Sequence, residues 1–353
     1  MLDSVQHQVL QLLPARKKTG QNGWTSFNAP CCVHNGETAD TRGRGGVKAN
    51  AGQVSYHCFN CGYTASFIPG RHLTFKFRKL LAWLGADDLT IRRLVIEAVR
   101  LRELVAPDEL ERVPEEEIVY EARTLPDQAR NVVELANFYS LGDYNNVPAE
   151  LLAAIEYVHR RAIDLNKYKF YWTPEQAYNL HRRIVIPYYY RGETVGYTSR
   201  AIVDGIKPKY WSSHPADFVF NLDMQKPDSK FVIVCEGPFD AMSVDGVSVS
   251  GAEISDTQVD QIDRLQREVV VVPDTDRAGR KLVDRAIEAG WTVSFPVWQD
   301  TCKDINDAVV KYGKLFVLKS ILAARETSKL KIELKKNTSA VRGNSSTVAV
   351  RRY

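Results

Sequence analysis

The sequence of 353 residues lacks long apolar runs: no stretch approaches the roughly 18 consecutive apolar residues that a membrane-spanning helix needs. Residues 1–13 show helical apolar periodicity without a basic leader or a small-residue cleavage site, which predicts a helix and not a signal peptide. There is also no internal repeat and no Walker phosphate loop. Neither a membrane protein nor a chain with its own phosphate-loop motor is therefore expected.

The sequence also lacks a strong charge bias. Lys and Arg number 47 against 43 Asp and Glu, which gives a formal net charge of +4. Such a small excess does not by itself indicate a nucleic-acid-binding protein, so the positions of the charges have to decide. The length allows two or three small domains.

Cysteine is scarce and unevenly placed, with four of six residues between Cys31 and Cys61. This clustering favours metal binding in a reducing compartment over a disulfide framework. The other two, Cys235 and Cys302, are expected to be inert packing residues.

Two of the clustered pairs have the spacing of metal-binding knuckles. Cys31 and His34 are separated by two residues, as are Cys58 and Cys61. Four such ligands predict tetrahedral Zn²⁺ with no open position, hence a structural site in a zinc ribbon. Cys32 and His57 are spare candidates, and Cys32 could replace Cys31. The basic residues between the knuckles favour a nucleic-acid contact, whereas the nearby aromatic residues Phe59 and Phe67 are expected to form the ribbon core.

A basic hairpin is predicted farther along the chain. One strand carries Arg183, the turn is Arg191-Gly192-Glu193, and the returning strand carries Arg200, followed by Lys209. If the registers allow, these three cations share one surface that could hold a template backbone or incoming triphosphates. The alternative is ordinary surface charge on a hairpin.

Carboxylates follow three predicted strand ends. Glu236 follows the apolar run 231–235, Asp274 and Asp276 follow the run 269–272, and Asp304 lies in a third acidic motif. Because buried parallel strands deliver such residues to one edge of a sheet, this pattern predicts an α/β domain with a Mg²⁺ site.

The succession of Glu-Gly, Asp-x-Asp and Lys-Asp-x-Asn-Asp resembles the TOPRIM domain of DnaG-type primases and topoisomerases. The motifs Pro-Cys-x-x-His and Cys-Phe-x-Cys-Gly resemble the zinc-binding domain of those primases. Upstream of the acids, Arg-x-x-x-Pro, Gly-x-x-x-Arg and Pro-Lys-Tyr resemble the basic half of the primase core, and residues 156–174 look like the T-even phage version.

The resemblance implies a catalytic role for Glu236, Asp274 and Asp276. The Mg²⁺ ligands would be Asp274, Asp276 and Asp304, whereas Glu236 stays open between acid/base and outer metal ligand. Asn306 departs from the Asp of many bacterial relatives, and Asp240 lies where primases often carry another carboxylate. Arg183, Arg200 and Lys209 would bind nucleotide or template.

The implied architecture is multidomain α/β. It comprises a zinc-binding ribbon at 1–72, a helical connector at 73–117, a basic subdomain at 118–230, a TOPRIM domain with a C-terminal helix at 231–330 and a flexible tail at 331–353.

The implied activity is that of a phage DNA primase, which makes short RNA primers on single-stranded DNA from ribonucleoside triphosphates. Structural Zn²⁺ and catalytic Mg²⁺, with Mn²⁺ as a substitute, would be the cofactors. A replicative hexameric helicase and single-strand DNA-binding protein would be partners, in the cytoplasm of the infected bacterial host. The alternatives are a TOPRIM nuclease or topoisomerase, which would use the same acids, and a non-catalytic recombination mediator.

Overall fold

The computed structural model describes residues 4–104, 118–142, 146–251, 253–274, 277–298 and 302–345. The chain divides into two compact units, Met1–Ile118 and Val119–Tyr353. Among the described residues, no helix combines the length and the apolar character that crossing a membrane requires.

The first unit contains an antiparallel sheet of five strands in sequential order. Strands β1 to β5 are Lys17–Thr19, Trp24–Phe27, Gly45–Asn50, Gln53–Cys58 and Thr64–Phe67. Helices α1 to α3 are Ser4–Leu12, Phe75–Trp83 and Asp88–Leu104. In β4, alternate residues are buried, which is the period-2 pattern of a strand with one face on the core.

The core of the first unit includes residues from the helices as well as from the sheet. Val5 of α1, Leu80 of α2 and Leu94 of α3 belong to the same buried cluster as Val54 and Tyr56 of β4. The helices predicted as a connector therefore share the ribbon's core over their described part. Residues 105–117 of that prediction lie outside the described residues.

Asp40 organises the segment between the two cysteine knuckles. Its fully buried carboxylate accepts hydrogen bonds from the backbone N–H groups of Ala29 at 2.8 Å, Arg42 at 2.9 Å and Arg44 at 2.7 Å, and from Arg44 Nε at 3.0 Å. Burial by itself raises the pKa of Asp40, yet these donors bring it down to about 2. The ionised carboxylate therefore stabilises the folded ribbon above its ordinary pKa, and this contribution is lost as the pH falls through about 2.

Replacing Asp40 by Asn should destabilise the first unit at neutral pH by about 2 kcal/mol or more, because charge-assisted hydrogen bonds are lost in a buried place. Hydrogen exchange measured by mass spectrometry should show faster exchange in peptides of the first unit only. The second unit is the internal control, and unchanged exchange around Ala29 would contradict the assigned role of Asp40.

The second unit begins with an antiparallel sheet of order β10-β9-β8-β7-β6. Strands β6 to β10 are Arg130–Asn131, Tyr171–Trp172, Arg183–Tyr190, Glu193–Ala201 and Tyr210–Ser213. Two helices lie between β6 and β7 in the sequence, α4 at Val132–Leu141 and α5 at Ala149–Arg160.

A second sheet of the same unit has the order β12-β11-β13-β14-β15, in which β11 to β14 are parallel and β15 is an antiparallel edge. Strands β11 to β15 are Phe231–Cys235, Val247–Ser248, Glu268–Val271, Thr292–Ser294 and Arg325–Glu326. Helices α6 to α10 are Pro238–Val244, Asp256–Asp263, Arg277–Ala289, Ile305–Tyr312 and Lys314–Ala323. The predicted apolar strands are thus observed.

One buried cluster joins the two sheets of the second unit. It contains Ile184 and Tyr188 of β8 together with Ile233 of β11 and Phe239 of α6. The predicted basic subdomain and the predicted TOPRIM domain therefore share a core, which fixes the basic strands relative to the acidic sheet edge.

The chain continues as helix α11, Lys329–Ser345, where the sequence predicted a flexible tail from residue 331. Ile332 on this helix is buried, and Lys336 forms an ion pair with Asp284 of α8. This apolar anchor and the ion pair explain the difference. Residues 346–353 of the predicted tail lie outside the described residues.

Candidate functional site

Four cysteines of the first unit converge on one point. The sulfurs of Cys31, Cys32, Cys58 and Cys61 all lie within 4.8 Å of one another. Sγ of Cys31 is 3.4 Å from that of Cys61, and Sγ of Cys32 is 3.6 Å from that of Cys58. Four thiolates fit the tetrahedral shell of structural zinc. Burial raises the pKa of the Cys31 thiol, so a divalent cation would also offset the cost of ionising these buried sulfurs.

This group differs from the predicted ligand set, since His34 is not part of it. A 3₁₀ turn, Cys32–Asn35, starts directly after Cys31, and both neighbouring cysteines face the second knuckle. The exposed His34 ring instead stacks on Trp83 of α2, with centroids 4.7 Å apart and an interplanar angle of 5°. Cys31 and Cys32, treated as alternatives in the sequence, thus both belong to the cluster, and Cys32 takes the place predicted for His34.

In the second unit, Glu236 and Asp274 follow the ends of parallel strands, and Asp304 lies at the start of a helix. Glu236 comes directly after β11, and its carbonyl accepts a hydrogen bond from Ser248 Oγ at 2.7 Å. Asp274 follows β13, and Asp304 is the N-cap of α9, where it accepts from Asp307 N at 2.7 Å. Asp276, the fourth predicted acid, lies outside the described residues.

Gly279 allows helix α8 to start against Asp274. A Cβ atom at position 279 would lie 2.0 Å from the carbonyl oxygen of Asp274, a distance that no side chain permits. The glycine thus sets how closely the helix approaches the acid. The sequence reasoning had not assigned this role to Gly279.

Asp240 of α6 adds a buried carboxylate to this edge. Asp240 is only 8% exposed, and its Oδ1 accepts a hydrogen bond from Asn306 N at 2.9 Å. Burial, reinforced by the nearby charges of Asp304 and Asp274, raises the pKa of Asp240 to about 8. These couplings place Asp240, Asp274 and Asp304 in one electrostatic group.

Asn306 connects this acidic edge to the preceding subdomain. Its Oδ1 accepts from Arg161 Nη1 at 2.9 Å, and its Nδ2 donates to the Arg161 carbonyl at 2.8 Å and to Ser243 Oγ at 2.9 Å. An aspartate at position 306 could not make the two donations and would place another carboxylate beside Asp240. The amide therefore explains the departure from Asp noted in the sequence.

Arg161 extends the network toward the basic strands. Its Nη2 donates to Tyr157 OH at 2.7 Å, and Arg200 Nε donates to the same hydroxyl at 3.1 Å. The Arg161 guanidinium also lies over the Phe239 ring, 5.0 Å from its centroid. The sequence reasoning noticed Arg161 only as part of an aromatic and basic tract. No spacing rule links it to Asn306, which is 145 residues away.

The three predicted cations do not share one surface. Near the hairpin turn Tyr189 pairs with Thr194, but Tyr188 pairs with Gly196, so β9 contains one extra residue. Because of this bulge Arg183 pairs with Ala201 and not with Arg200, and neighbouring strand residues point to opposite faces. Gly196 fits there because a Cβ atom would lie 2.3 Å from the Ser213 carbonyl.

The environments of these cations differ accordingly. Arg200 is 7% exposed, donates to the Tyr157 hydroxyl and has its guanidinium 4.5 Å from the Tyr210 ring centroid. Lys209 is exposed. Arg183 is 0% exposed, so its burial does not favour the predicted direct contact with nucleotide or template.

The chain is similar to known proteins in sequence and in structure. Residues 233–309 match the protein family described as Toprim-like. A DNA primase of Aquifex aeolicus (strain VF5) is 29% identical over 153 residues, which cover 38% of this chain and 30% of that protein. The chain thus spans about a third of the length of this relative.

Several solved structures are also similar. The RNA polymerase domain of Mycobacterium tuberculosis primase DnaG has a TM-score of 0.46 at 18% identity, over 60% of this chain and 90% of that one. The zinc-binding and RNA polymerase domains of the Aquifex aeolicus primase have a TM-score of 0.43 at 19% identity, over 98% and 88%. The Toprim-like match and the primase relative confirm the predicted resemblance to DnaG-type primases. The described sheets and the cysteine cluster confirm the α/β fold class with an N-terminal ribbon.

Proposed function

We propose that this DnaG-type chain is a DNA primase, which synthesises short RNA primers on single-stranded DNA by metal-dependent nucleotidyl transfer. The observation that carries the proposal is the hydrogen-bonded path from Arg200 through Tyr157 and Arg161 to Asn306 and Asp240. It ties a cationic strand to an acidic sheet edge inside one unit. Nucleotidyl transfer needs both, because the carboxylates hold metal ions while cations hold phosphates.

Each residue of the acidic edge has a distinct proposed part. Asp274 and Asp304, with Asp276, would hold Mg²⁺ through carboxylate oxygens, and Mn²⁺ would substitute. The ion would supply charge stabilisation for the attacking and leaving oxygens. Glu236 would lie beside them as an acid/base group or an outer ligand. Asp240, protonated up to about pH 8, would limit the negative charge of the edge until a cation arrives.

The basic groups would orient the nucleotide and the template. Lys209 is exposed and free to meet phosphate oxygens. Arg200 is only 7% exposed and its guanidinium is held by Tyr157 and Tyr210, so its charge would act on the phosphates at short range while Lys209 makes the direct contact.

The ribbon would bind Zn²⁺ through its four cysteines and would contact the template. Phe59, directly after Cys58, is 71% exposed, which places an aromatic ring on the surface where the sequence predicted core. The His57 ring lies 4.3 Å from it. Arg42 and Lys48 are exposed as well. Exposed rings beside cations suit unpaired bases and their phosphates.

The zinc ligands can be tested by two variants that differ in one position of the knuckle. Cys32→Ser should lower the bound zinc well below one ion per chain, because a thiolate ligand is lost. His34→Ala should keep one ion per chain, because His34 lies outside the cluster. Metal content measured by atomic emission after gel filtration decides between the sets, and the reverse result would restore the predicted Cys-His pair.

A helicase and a single-strand DNA-binding protein are the proposed partners, in the cytoplasm of an infected bacterial host. The primase fragment of bacteriophage T7 primase-helicase protein is similar over 84% of this chain, with 15% identity and a TM-score of 0.37. That protein is a primase-helicase. A separate helicase would serve the same purpose for this chain.

Primer synthesis is the direct test of the proposed function. The purified chain would be incubated with single-stranded DNA of varied sequence, labelled ribonucleotides and Mg²⁺, with and without helicase. We expect short RNA products that depend on the template. DNA cleavage, covalent DNA capture or binding without synthesis would instead support the nuclease, topoisomerase or mediator alternatives.

A further inference from the structure

The side chain of Arg183 is a buried cation whose hydrogen-bond partners are all backbone carbonyls. Nη2 donates to the Pro208 carbonyl at 2.6 Å, and Nη1 lies 3.4 Å from the carbonyls of Lys209 and Ser199. No carboxylate is among its partners in the described residues. Burial lowers the pKa of Arg183, which reflects the cost of keeping a charge at this place. Here the dipoles of backbone carbonyls offset this cost, and the Pro208 and Lys209 carbonyls come from the turn before β10.

This turn carries two of the chain's exposed lysines. Lys207 and Lys209 flank Pro208 and are exposed. Three consecutive carbonyls of this turn accept hydrogen bonds. That of Lys207 accepts from Tyr178 OH, that of Pro208 from Arg183, and that of Lys209 from Arg183 and from Ala201 N at 3.0 Å. The Pro208 and Lys209 carbonyls bond to the buried Arg183, which fixes the backbone of the turn while both lysine side chains remain exposed.

We propose that Arg183 is a positioning residue, which fixes the Lys207–Lys209 turn from beneath so that Lys209 meets a phosphate at a defined place. The inference rests on the proposed function of Lys209 as a phosphate contact. It also gives the buried arginine a role different from the direct contact that its motif had implied. A guanidinium suits this role because its planar fork serves several carbonyls at once, whereas an ammonium is a single point of charge.

The test compares Arg183→Lys with Arg182→Lys, the same exchange at the exposed neighbouring residue. Amide exchange at Ala201, whose N–H donates to the Lys209 carbonyl, reports the turn itself. We expect at least about tenfold faster exchange in Arg183→Lys alone, since a local free-energy change of about 1.4 kcal/mol gives that factor. Unchanged exchange would overturn the proposal whether or not the protein makes primers, so this arm stands apart from the proposed function.

Kinetics of primer synthesis give the second arm. Arg183→Lys should lower kcat/KM for ribonucleotides by about tenfold to 100-fold, as expected when a binding group is misplaced by about 1 Å. In a Lys209→Ala background the same exchange should have almost no further effect, because Arg183 acts through Lys209. An equal loss in both backgrounds would overturn the proposal and point to an independent role of Arg183.

A milder variant covers the case in which Arg183→Lys does not fold. Tyr178→Phe removes only the hydroxyl that donates to the Lys207 carbonyl. We expect it to raise Ala201 exchange and to lower kcat/KM in the same direction by a smaller factor, with the effect again absent in the Lys209→Ala background. If this variant had the amide exchange and the kinetics of the wild type, the hydrogen-bonded carbonyls of the Lys207–Lys209 turn would not position the lysines.

Discussion

Replacing Asp274 by Asn should lower primer synthesis roughly 1000-fold, because loss of a charge that stabilises the reacting groups typically costs a factor of that order. The amide keeps the size of the side chain and one oxygen, but it removes the negative charge that holds Mg²⁺. DNA binding should persist, since Arg200 and Lys209 are untouched. Synthesis measured at saturating template separates the two steps.

A matched control lies on the helix that follows. Asp284→Asn on α8 makes the same chemical change, but its carboxylate is a surface group paired with Lys336. Surface ion pairs contribute little, so this variant should synthesise primers at the wild-type rate. If Asp274→Asn were as active as Asp284→Asn, the acidic edge would not be the metal site.

Replacing Asp240 by Asn should change the pH dependence of stability by a few kcal/mol. The folded-state pKa of Asp240 is raised to about 8 from an ordinary value of 3.8. A raised pKa means that the folded state holds a proton that the unfolded state has released. The stability that this proton confers is full below about pH 4 and is lost as the pH rises through about 8. Asn resembles the protonated acid, so the variant lacks this loss.

Urea unfolding in Mg²⁺-free buffer between pH 5 and pH 9 measures the effect. The wild type should lose stability across this range, and Asp240→Asn should be the more stable of the two at pH 9, with similar stability at the acidic end. The hydrogen bond from Asn306 N survives in the variant, because the amide oxygen can still accept it. Parallel pH curves for the two proteins would contradict a buried, protonated Asp240.

The strand ends and the second cysteine knuckle could be predicted from the sequence because short-range patterns determine them. The run 231–235 is a buried strand, and Glu236 follows it directly. Cys58 and Cys61 form a tight turn closed by the Gly62 N–H to the Cys58 carbonyl at 3.0 Å. In both cases spacing within a few residues decides where the side chain points.

The first cysteine knuckle, the contact between Arg161 and Asn306 and the faces of the arginines depend on tertiary structure, which the spacing of residues in the sequence does not determine. The first knuckle offers Cys31, Cys32 and His34 within four residues, and the 3₁₀ turn after Cys31 selects among them. Arg161 and Asn306 meet only because two subdomains share a core. The face of the sheet on which each arginine lies depends on the bulge in β9, and no short sequence pattern predicts that bulge.

Because of the extra residue in β9, the number of residues in that strand determines on which face of the sheet each arginine lies. Removing Val195 would bring Arg183 opposite Arg200, one buried cation against another, without altering either arginine. An insertion in the exposed Arg191–Gly192 turn would instead be absorbed in the loop. When relatives are aligned across this hairpin, a one-residue gap therefore matters more than an exchange of side chains, since arginines in the same column would belong to opposite faces of the sheet.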